Sequence, residues 1–136
     1  MEVAKLTFYF DRCFGKRLPE FLERANPPFS VEHQHNKRNR FPQDMTDDAW
    51  LKICGERGWV AFTHDSKFQH LEVEALAIKQ HKVAGFAIWG AQMPTWDKVC
   101  LFVRGYPKMM EIIKSEKPPY LYRLRSNARL EKVNLR

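Results

Sequence analysis

The sequence predicts an α/β fold in which a mainly parallel sheet is covered by helices. Short runs of β-branched and aromatic residues, typical of strands, recur along the chain. Stretches with apolar residues at helical spacing alternate with them. The run at residues 83–89 is almost entirely apolar, which indicates a strand buried on both faces. Alternating strands and helices of this kind join into a parallel sheet through right-handed crossovers.

Two strands and the helix between them are predicted in the first 35 residues. Residues 6–10 are β-branched or aromatic after an initial leucine, as expected of a buried strand. Residues 15–25 have apolar side chains at positions i, i+3 and i+4 of a helix, and Pro19 fits only in its first turn. An Asn-Pro-Pro sequence ends this helix, and a second strand is predicted at 29–35, before a polar loop.

Two further pairs of helix and strand are predicted in the middle of the chain. Residues 44–55 have a one-sided apolar face, Thr46 as an N-cap and glycines beyond their end, which predicts a second helix. A third strand at 59–63 precedes a third helix at about 67–81, and the fourth strand is 83–89.

A long helix and an edge strand or hairpin are predicted at the end of the chain. The helix begins at Pro94–Thr95 and ends before Pro118–Pro119. The tail alternates polar and apolar residues around Ser126–Asn127, which predicts the edge strand or hairpin. A length of 136 residues predicts one domain, over 1–136. The tryptophans lie on apolar stripes and are predicted to be mostly core residues: Trp50, Trp59, Trp89 and Trp96.

The composition excludes several classes of protein. With 44% hydrophobic residues the chain can bury a core, which excludes global disorder. No apolar run approaches the roughly 20 residues that span a bilayer, and the start lacks a signal-peptide layout, so a cytoplasmic protein is expected. Cys13, Cys54 and Cys100 form no CxxC pair and are expected to be reduced.

The charge favours a polyanionic partner such as nucleic acid. Lys and Arg number 23 against 16 Asp and Glu, which gives +7. Candidate phosphate contacts are the loop residues Lys37, Arg38 and Arg40 and the tail residues Arg123 and Arg125. The alternative is a basic surface with no such partner, because a charge run is usually a solvated face and an edge strand often carries Arg or Lys.

Four aspartates occupy the ends of predicted elements. Asp11 follows the first strand, Asp47 and Asp48 begin the second helix, and Asp65 follows the third strand. Ligands of an open α/β sheet bind beyond the carboxyl ends of its strands, where these acids would meet. Carboxylates are the ligands that Mg²⁺ and Mn²⁺ prefer, so a divalent-metal site is predicted. Each aspartate alone is equally well explained as a cap of a turn or helix.

Two other kinds of site are less well supported. His33 and His35 would share one face of a strand and, with His64, suggest zinc, but a further suitable ligand is missing. Asp11 or Asp65 would suit a phosphoacceptor, but that chemistry needs a lysine after a late strand, and Lys82 precedes the fourth strand.

Four segments together resemble the signature of PIN-like domains, most closely the small bacterial VapC-like toxin ribonucleases. These segments are Phe10–Asp11, Asp47–Leu51 and Phe62–Phe68, followed by Glu72–Leu76. The resemblance follows nearly the whole chain in order. It implies a three-layer α/β/α fold and endoribonuclease activity dependent on Mg²⁺ or Mn²⁺, with RNA as substrate, an antitoxin protein as partner and a homodimer as assembly.

The resemblance also implies which residues form the site. It places metal-binding acids at Asp11, at Asp47 with Asp48 as rival or helper, and at Asp65. Glu72 would support the site or face solvent. A fourth acid, frequent in fuller PIN domains, has no clear equivalent, with Asp97 the nearest candidate.

Two neighbours of these acids are further candidates. Thr63 is placed to hydrogen-bond a carboxylate or a phosphate, and Arg12 to pair with a site carboxylate or the scissile phosphate. Three functions remain open: a toxin ribonuclease, an RNA-processing nuclease outside any toxin system, and a catalytically silent RNA- or protein-binding module of the same fold.

Overall fold

The described part of the chain contains six strands and four α-helices. The computed structural model describes residues 5–36, 39–42, 45–65, 68–90 and 92–135, without the side chains of Cys13, Asp65, residues 68–71 and Trp89. In chain order the elements are β1 (Thr7–Phe10), α1 (Arg17–Arg24), β2 (Ser30–His33), α2 (Asp47–Arg57), β3 (Val60–Asp65), α3 (Phe68–His81), β4 (Ala84–Trp89), α4 (Thr95–Ser115), β5 (Tyr120–Leu124) and β6 (Leu130–Lys132).

All six strands form one sheet, in the order β2-β1-β3-β4-β5-β6. Neighbouring strands run parallel except β5 and β6, which form an antiparallel hairpin at one edge. The predicted α/β class, the mainly parallel sheet and the C-terminal hairpin are confirmed.

A hydrophobic core covers each face of the sheet. On one face, Phe8 and Phe62 pack with Leu18 of α1 and Phe102 of α4. The core on the other face is formed by the following residues of β1, α2 and α3 among others: Tyr9, Trp50, Leu51, Cys54, Ala77 and Ile78. The sheet is therefore the middle of three layers, as the resemblance implied.

Several element boundaries differ from the prediction. Helix α1 begins only at Arg17, because a 3₁₀ turn at Arg12–Phe14 comes before it. Gly15, which follows this turn, has a φ of +66°. Helix α2 has the predicted N-cap Thr46 but begins at Asp47, three residues after the predicted start at 44, and continues through Gly55 to Arg57. Strand β3 extends two residues beyond its predicted end, and β2 is shorter at both ends. No helix in the described ranges has the length and apolarity to cross a membrane.

The apolar stripe of α4 is only partly buried. Val99 and Met109 lie in the core, but Trp96 is 65% exposed and Val103 is 58% exposed. The prediction that Trp96 is a core residue is wrong. Helix α1 has eight residues and α4 has 21, or about 12 Å against about 32 Å, so α1 cannot cover the whole of α4.

Gly55 sets the close approach of α2 to α3, and we expect Gly55→Ala to destabilise the fold. A Cβ at this position would lie 2.1 Å from the carbonyl oxygen of His81, a backbone atom. We expect the clash to cost about 1–3 kcal/mol and to outweigh the ~1 kcal/mol by which alanine favours a helix over glycine. Urea unfolding measures the change, with the exposed Glu56→Ala as control. Equal or higher stability of Gly55→Ala would contradict this contact.

Candidate metal centre

Asp11 follows β1 directly, and its side chain is buried. Its backbone N–H donates to the carbonyl oxygen of Phe62 at 3.0 Å, so the pairing of β1 with β3 continues to this residue. Only 5% of Asp11 is exposed. A buried carboxylate needs hydrogen bonds or a cation to replace its hydration. The Thr63 hydroxyl lies 3.4 Å from Asp11 Oδ2 as a donor.

Asp47 is the first residue of α2, and its carboxylate is oriented by that helix. The Thr46 hydroxyl accepts from the N–H of Ala49 at 3.2 Å and so fixes where α2 begins. The indole N–H of Trp50 donates to Asp47 Oδ1 at 3.0 Å. Trp50 is itself stacked on Tyr9, with ring centroids 5.2 Å apart. The buried aromatic pair therefore holds the half-buried carboxylate in one direction.

Glu74 of α3 is the most deeply buried carboxylate of the three. It is 1% exposed, and its Oε1 lies 3.2 Å from the Thr63 hydroxyl. Burial, followed by the negative charges of Asp47 and Asp11, raises the pKa of Glu74 to about 8. Without a nearby cation, Glu74 therefore holds a proton at neutral pH.

Thr63 connects two of the carboxylates through a single hydroxyl. A hydroxyl has one hydrogen to donate but also accepts, so it cannot donate fully to Asp11 and Glu74 at once. If protonated Glu74 donates to Thr63, the Thr63 hydrogen is left for Asp11, and both contacts are satisfied. The cation-free site is thus compatible with one proton shared along this chain of hydrogen bonds.

Asp11, Asp47 and Glu74 converge from three elements on one small volume. One ligand oxygen from each lies within 4.8 Å of the others. An ion about 2.1 Å from each oxygen needs oxygens no more than about 4.2 Å apart, which small side-chain movements or one intervening water provide. Three carboxylates and the raised pKa of Glu74 suit a hard divalent cation, which would remove their mutual repulsion.

Comparison with known proteins identifies the family. A family model described as PIN like domain matches residues 6–90. The chain belongs to the PIN-like domain family. The match spans β1 to β4 and includes all three clustered carboxylates. PIN domains are generally nucleases and typically use divalent metal ions. No curated protein and no solved structure matches the chain.

The structure of this PIN-like domain separates the adjacent acids Asp47 and Asp48. Asp47 belongs to the cluster, whereas the Asp48 side chain is 63% exposed and its Oδ1 lies 2.9 Å from Nε2 of His81. Asp48 thus joins the start of α2 to the end of α3 and lies outside the cluster. Asp97, the candidate fourth acid, is exposed in the first turn of α4.

The structure describes the backbone of Asp65 but not its side chain. Asp65 is the last residue of β3 and pairs with Trp89 of β4, at the edge of the sheet that the end of β1 also reaches. Its side chain lies outside the described residues, so its role as a metal ligand stays a prediction. Arg12 is exposed in the turn after Asp11, and its predicted contact with phosphate also stays a prediction.

Glu74, which the sequence reasoning did not select, replaces Glu72 as the acid of α3 at the site. Glu72 is exposed, because residues two positions apart on a helix point about 200° apart. The sequence did contain a signal for Glu74. With the buried Ala77 and Ile78 it forms an i, i+3, i+4 set, so the core-facing side of α3 includes this acid.

The predicted phosphate contacts are scattered. Lys37 and Arg38 lie outside the described residues, and Arg40 is exposed in the loop after β2. Arg123 lies in β5 opposite Ala87, and Arg125 pairs with Glu131 at 3.7 Å. Their contacts with nucleic acid stay predictions.

The histidines do not form a metal site in the described ranges. The N–H of His35 donates to Nδ1 of His33 at 3.2 Å, and His33 is buried. Burial, followed by the charge of His35, lowers the pKa of His33. The cluster of three potential ligands found among the described side chains contains no histidine, which leaves zinc without support there.

Proposed function

We propose that this PIN-like domain is an endoribonuclease that uses Mg²⁺ or Mn²⁺ to hydrolyse phosphodiester bonds of RNA. The observation that carries the proposal is the convergence of Asp11, Asp47 and Glu74 at the carboxyl edge of β1 and β3. The net charge of +7 supports a polyanionic substrate. The resemblance to small toxin ribonucleases supports RNA as the substrate. It also supports a toxin role, with an antitoxin as partner and a homodimer as assembly.

The residues of the site have distinct parts in this reaction. Asp11, Asp47 and Glu74 would hold the cation, with Asp65 as a further ligand at the same edge. A bound divalent cation supplies an activated water and neutralises charge on the phosphate. Thr63 holds two carboxylates at their positions, and Arg12 is placed to contact the substrate phosphate.

A matched pair of adjacent acids tests the proposal. We expect Asp47→Asn to slow cleavage of a mixed RNA pool by about 10- to 100-fold, because it weakens the cation site at a half-buried ligand. Asp48→Asn removes the same charge at the neighbouring residue, which lies outside the cluster. This variant should cleave RNA at the wild-type rate. Rates are measured in Mg²⁺, in Mn²⁺ and in chelator.

Three outcomes separate the open functions. Cleavage that requires metal and Asp47 supports the nuclease. Wild-type protein that binds RNA but never cleaves it, in either metal, rejects the nuclease in favour of a binding module. Equal cleavage by the two variants would reject the proposed site.

A further inference from the structure

Two large aromatic side chains are exposed together on the α1 and α4 layer. Trp96, in the first turn of α4, is 65% exposed, and Phe21 of α1 is 45% exposed. Their rings meet edge to face with centroids 6.4 Å apart. Exposed apolar groups that form a contiguous patch often mark a binding surface, whereas single ones do not. We call Trp96 and Phe21 the aromatic pair.

The aromatic pair lies near the same edge of the sheet as the carboxylates, but on the opposite face. Helix α4 begins just after β4, which ends at the edge where β1 and β3 also end. Lys98, two residues after Trp96 and therefore on the opposite, buried side of α4, places its Nζ 5.9 Å from the ring centroid of Phe14. The N–H of Phe14 donates to the carbonyl oxygen of Asp11 at 3.0 Å. The 3₁₀ turn after Asp11 therefore packs against the start of α4, the helix that carries Trp96, and adjoins the candidate metal centre.

The groove beside Phe21 has one more positive than negative side chain among its described lining residues, and the exposed Asp97 next to Trp96 lies outside that lining. This shallow groove of about 630 Å³ is lined by Arg17, Glu20, Phe21, Arg24, Ala25 and Thr95. Both arginines are exposed, and the groove contains one carboxylate, that of Glu20, among its described lining residues. Aromatic faces beside guanidinium groups bind single-stranded nucleic acid, because bases stack on the rings and phosphates pair with the cations.

We propose that the aromatic pair is a stacking platform for an unpaired base of single-stranded RNA, with Arg17 and Arg24 contacting phosphates. The assignment of this RNA as substrate rests on the proposed function. The strand would then cross the 3₁₀ turn at Arg12–Phe14, from the platform to the carboxylates. A base inside a duplex is stacked on its neighbours, so the platform selects single-stranded segments.

Binding measured in chelator tests the platform without cleavage. The probe is a fluorescently labelled single-stranded RNA of mixed sequence, and the readout is its anisotropy. We expect Trp96→Ala to weaken binding at least about fivefold, whereas Trp96→Phe keeps most of the affinity. Val103→Ala, at another exposed apolar position of α4, should bind like the wild type. A blunt-ended RNA duplex of the same length should bind equally to wild type and Trp96→Ala.

Binding of an abasic RNA strand separates the contribution of base stacking to affinity from that of phosphate charge. The wild type should bind an abasic strand more weakly than the intact one, and Trp96→Ala should bind the two alike. Arg17→Ala with Arg24→Ala should weaken both strands and reduce the salt dependence of binding. If Trp96→Ala binds intact RNA like the wild type, the platform is rejected. A wild-type dimer that Trp96→Ala dissociates would also reject it, because the aromatic pair would then join two copies of the chain.

The platform and the proposed function can fail separately. Binding that depends on Trp96, without any metal-dependent cleavage, would keep the platform and reject the nuclease. If the protein cleaves RNA but its binding of RNA does not depend on Trp96, the nuclease is kept and the platform is rejected.

Discussion

Asp11→Asn is expected to lower the rate of RNA cleavage by about 10²- to 10⁴-fold. Asparagine keeps the shape of the side chain but removes the negative charge that a hard cation needs from this buried ligand. Charge stabilisation by a bound cation is worth several kcal/mol in such reactions, and each 1.4 kcal/mol is tenfold in rate. The measurement is the initial rate on a defined RNA in saturating Mg²⁺ and Mn²⁺.

Stability measurements show whether the loss of cleavage comes from the loss of a cation ligand or from a less stable fold. In chelator, Asp11→Asn should be at least as stable as the wild type, because the negative charge of Asp11, which repels that of Asp47 in the cluster, has gone. Addition of Mn²⁺ should raise the Tm of the wild type and change that of the variant much less. Asp97→Asn, an exposed acid of α4, is the control for a lost charge. Undiminished cleavage by Asp11→Asn would remove the central ligand from the proposal.

Asp65→Asn, tested beside Asp11→Asn, decides whether Asp65 is a further ligand. A comparable loss of cleavage and of the Mn²⁺ effect on Tm would add it to the site. Wild-type behaviour would limit the centre to Asp11, Asp47 and Glu74.

Glu74→Gln is expected to remove a pH dependence of stability that the wild type shows only without metal. The pKa of Glu74 is about 8 in the folded chain, raised from 4.5. Between these values the folded state holds more protons than the unfolded state, so stability falls as pH rises. The contribution is complete below about pH 4.5 and is lost as pH rises through about 8. Its slope is at most about 1.4 kcal/mol for each pH unit.

Unfolding by urea between pH 5 and 8, in chelator and in Mn²⁺, measures this effect. Glu72→Gln, an exposed acid of the same helix, should keep the wild-type slope. In Mn²⁺ the wild type should lose the slope or reverse it, because the cation binds the ionised carboxylate. Glu74→Gln should be less dependent on pH in chelator and should bind Mn²⁺ more weakly. Equal slopes for the wild type and Glu74→Gln in chelator would show that Glu74 is ionised when folded.

The fold and part of the site were predictable because each depends on local patterns. Alternating strands and helices give the parallel sheet. Asp11 and Asp47 were found because one follows a strand and the other begins a helix, and both positions can be read along the chain. Glu74 was missed because it is an acid on the buried side of α3, where the expected residue is apolar.

The exposure of Trp96 depends on how two helices that are distant in sequence pack against each other. Its position on an apolar stripe correctly indicates one face of α4, but not what covers that face. Phe21 of α1 meets Trp96 edge to face but leaves 65% of Trp96 exposed. Burial here is a property of the assembled layer, which no single segment encodes.

The positions of the three carboxylates along the chain have a consequence for biosynthesis. They occupy positions 11, 47 and 74, and the pairing of β1 with β3 needs residues about 50 positions apart. A ribosome that has not yet added residue 74 carries a nascent polypeptide with at most two of the acids. The assembled cluster therefore cannot exist until residue 74 has been added, and the polypeptide acquires its candidate cation site only after β1, β2, α2 and β3 have been synthesised.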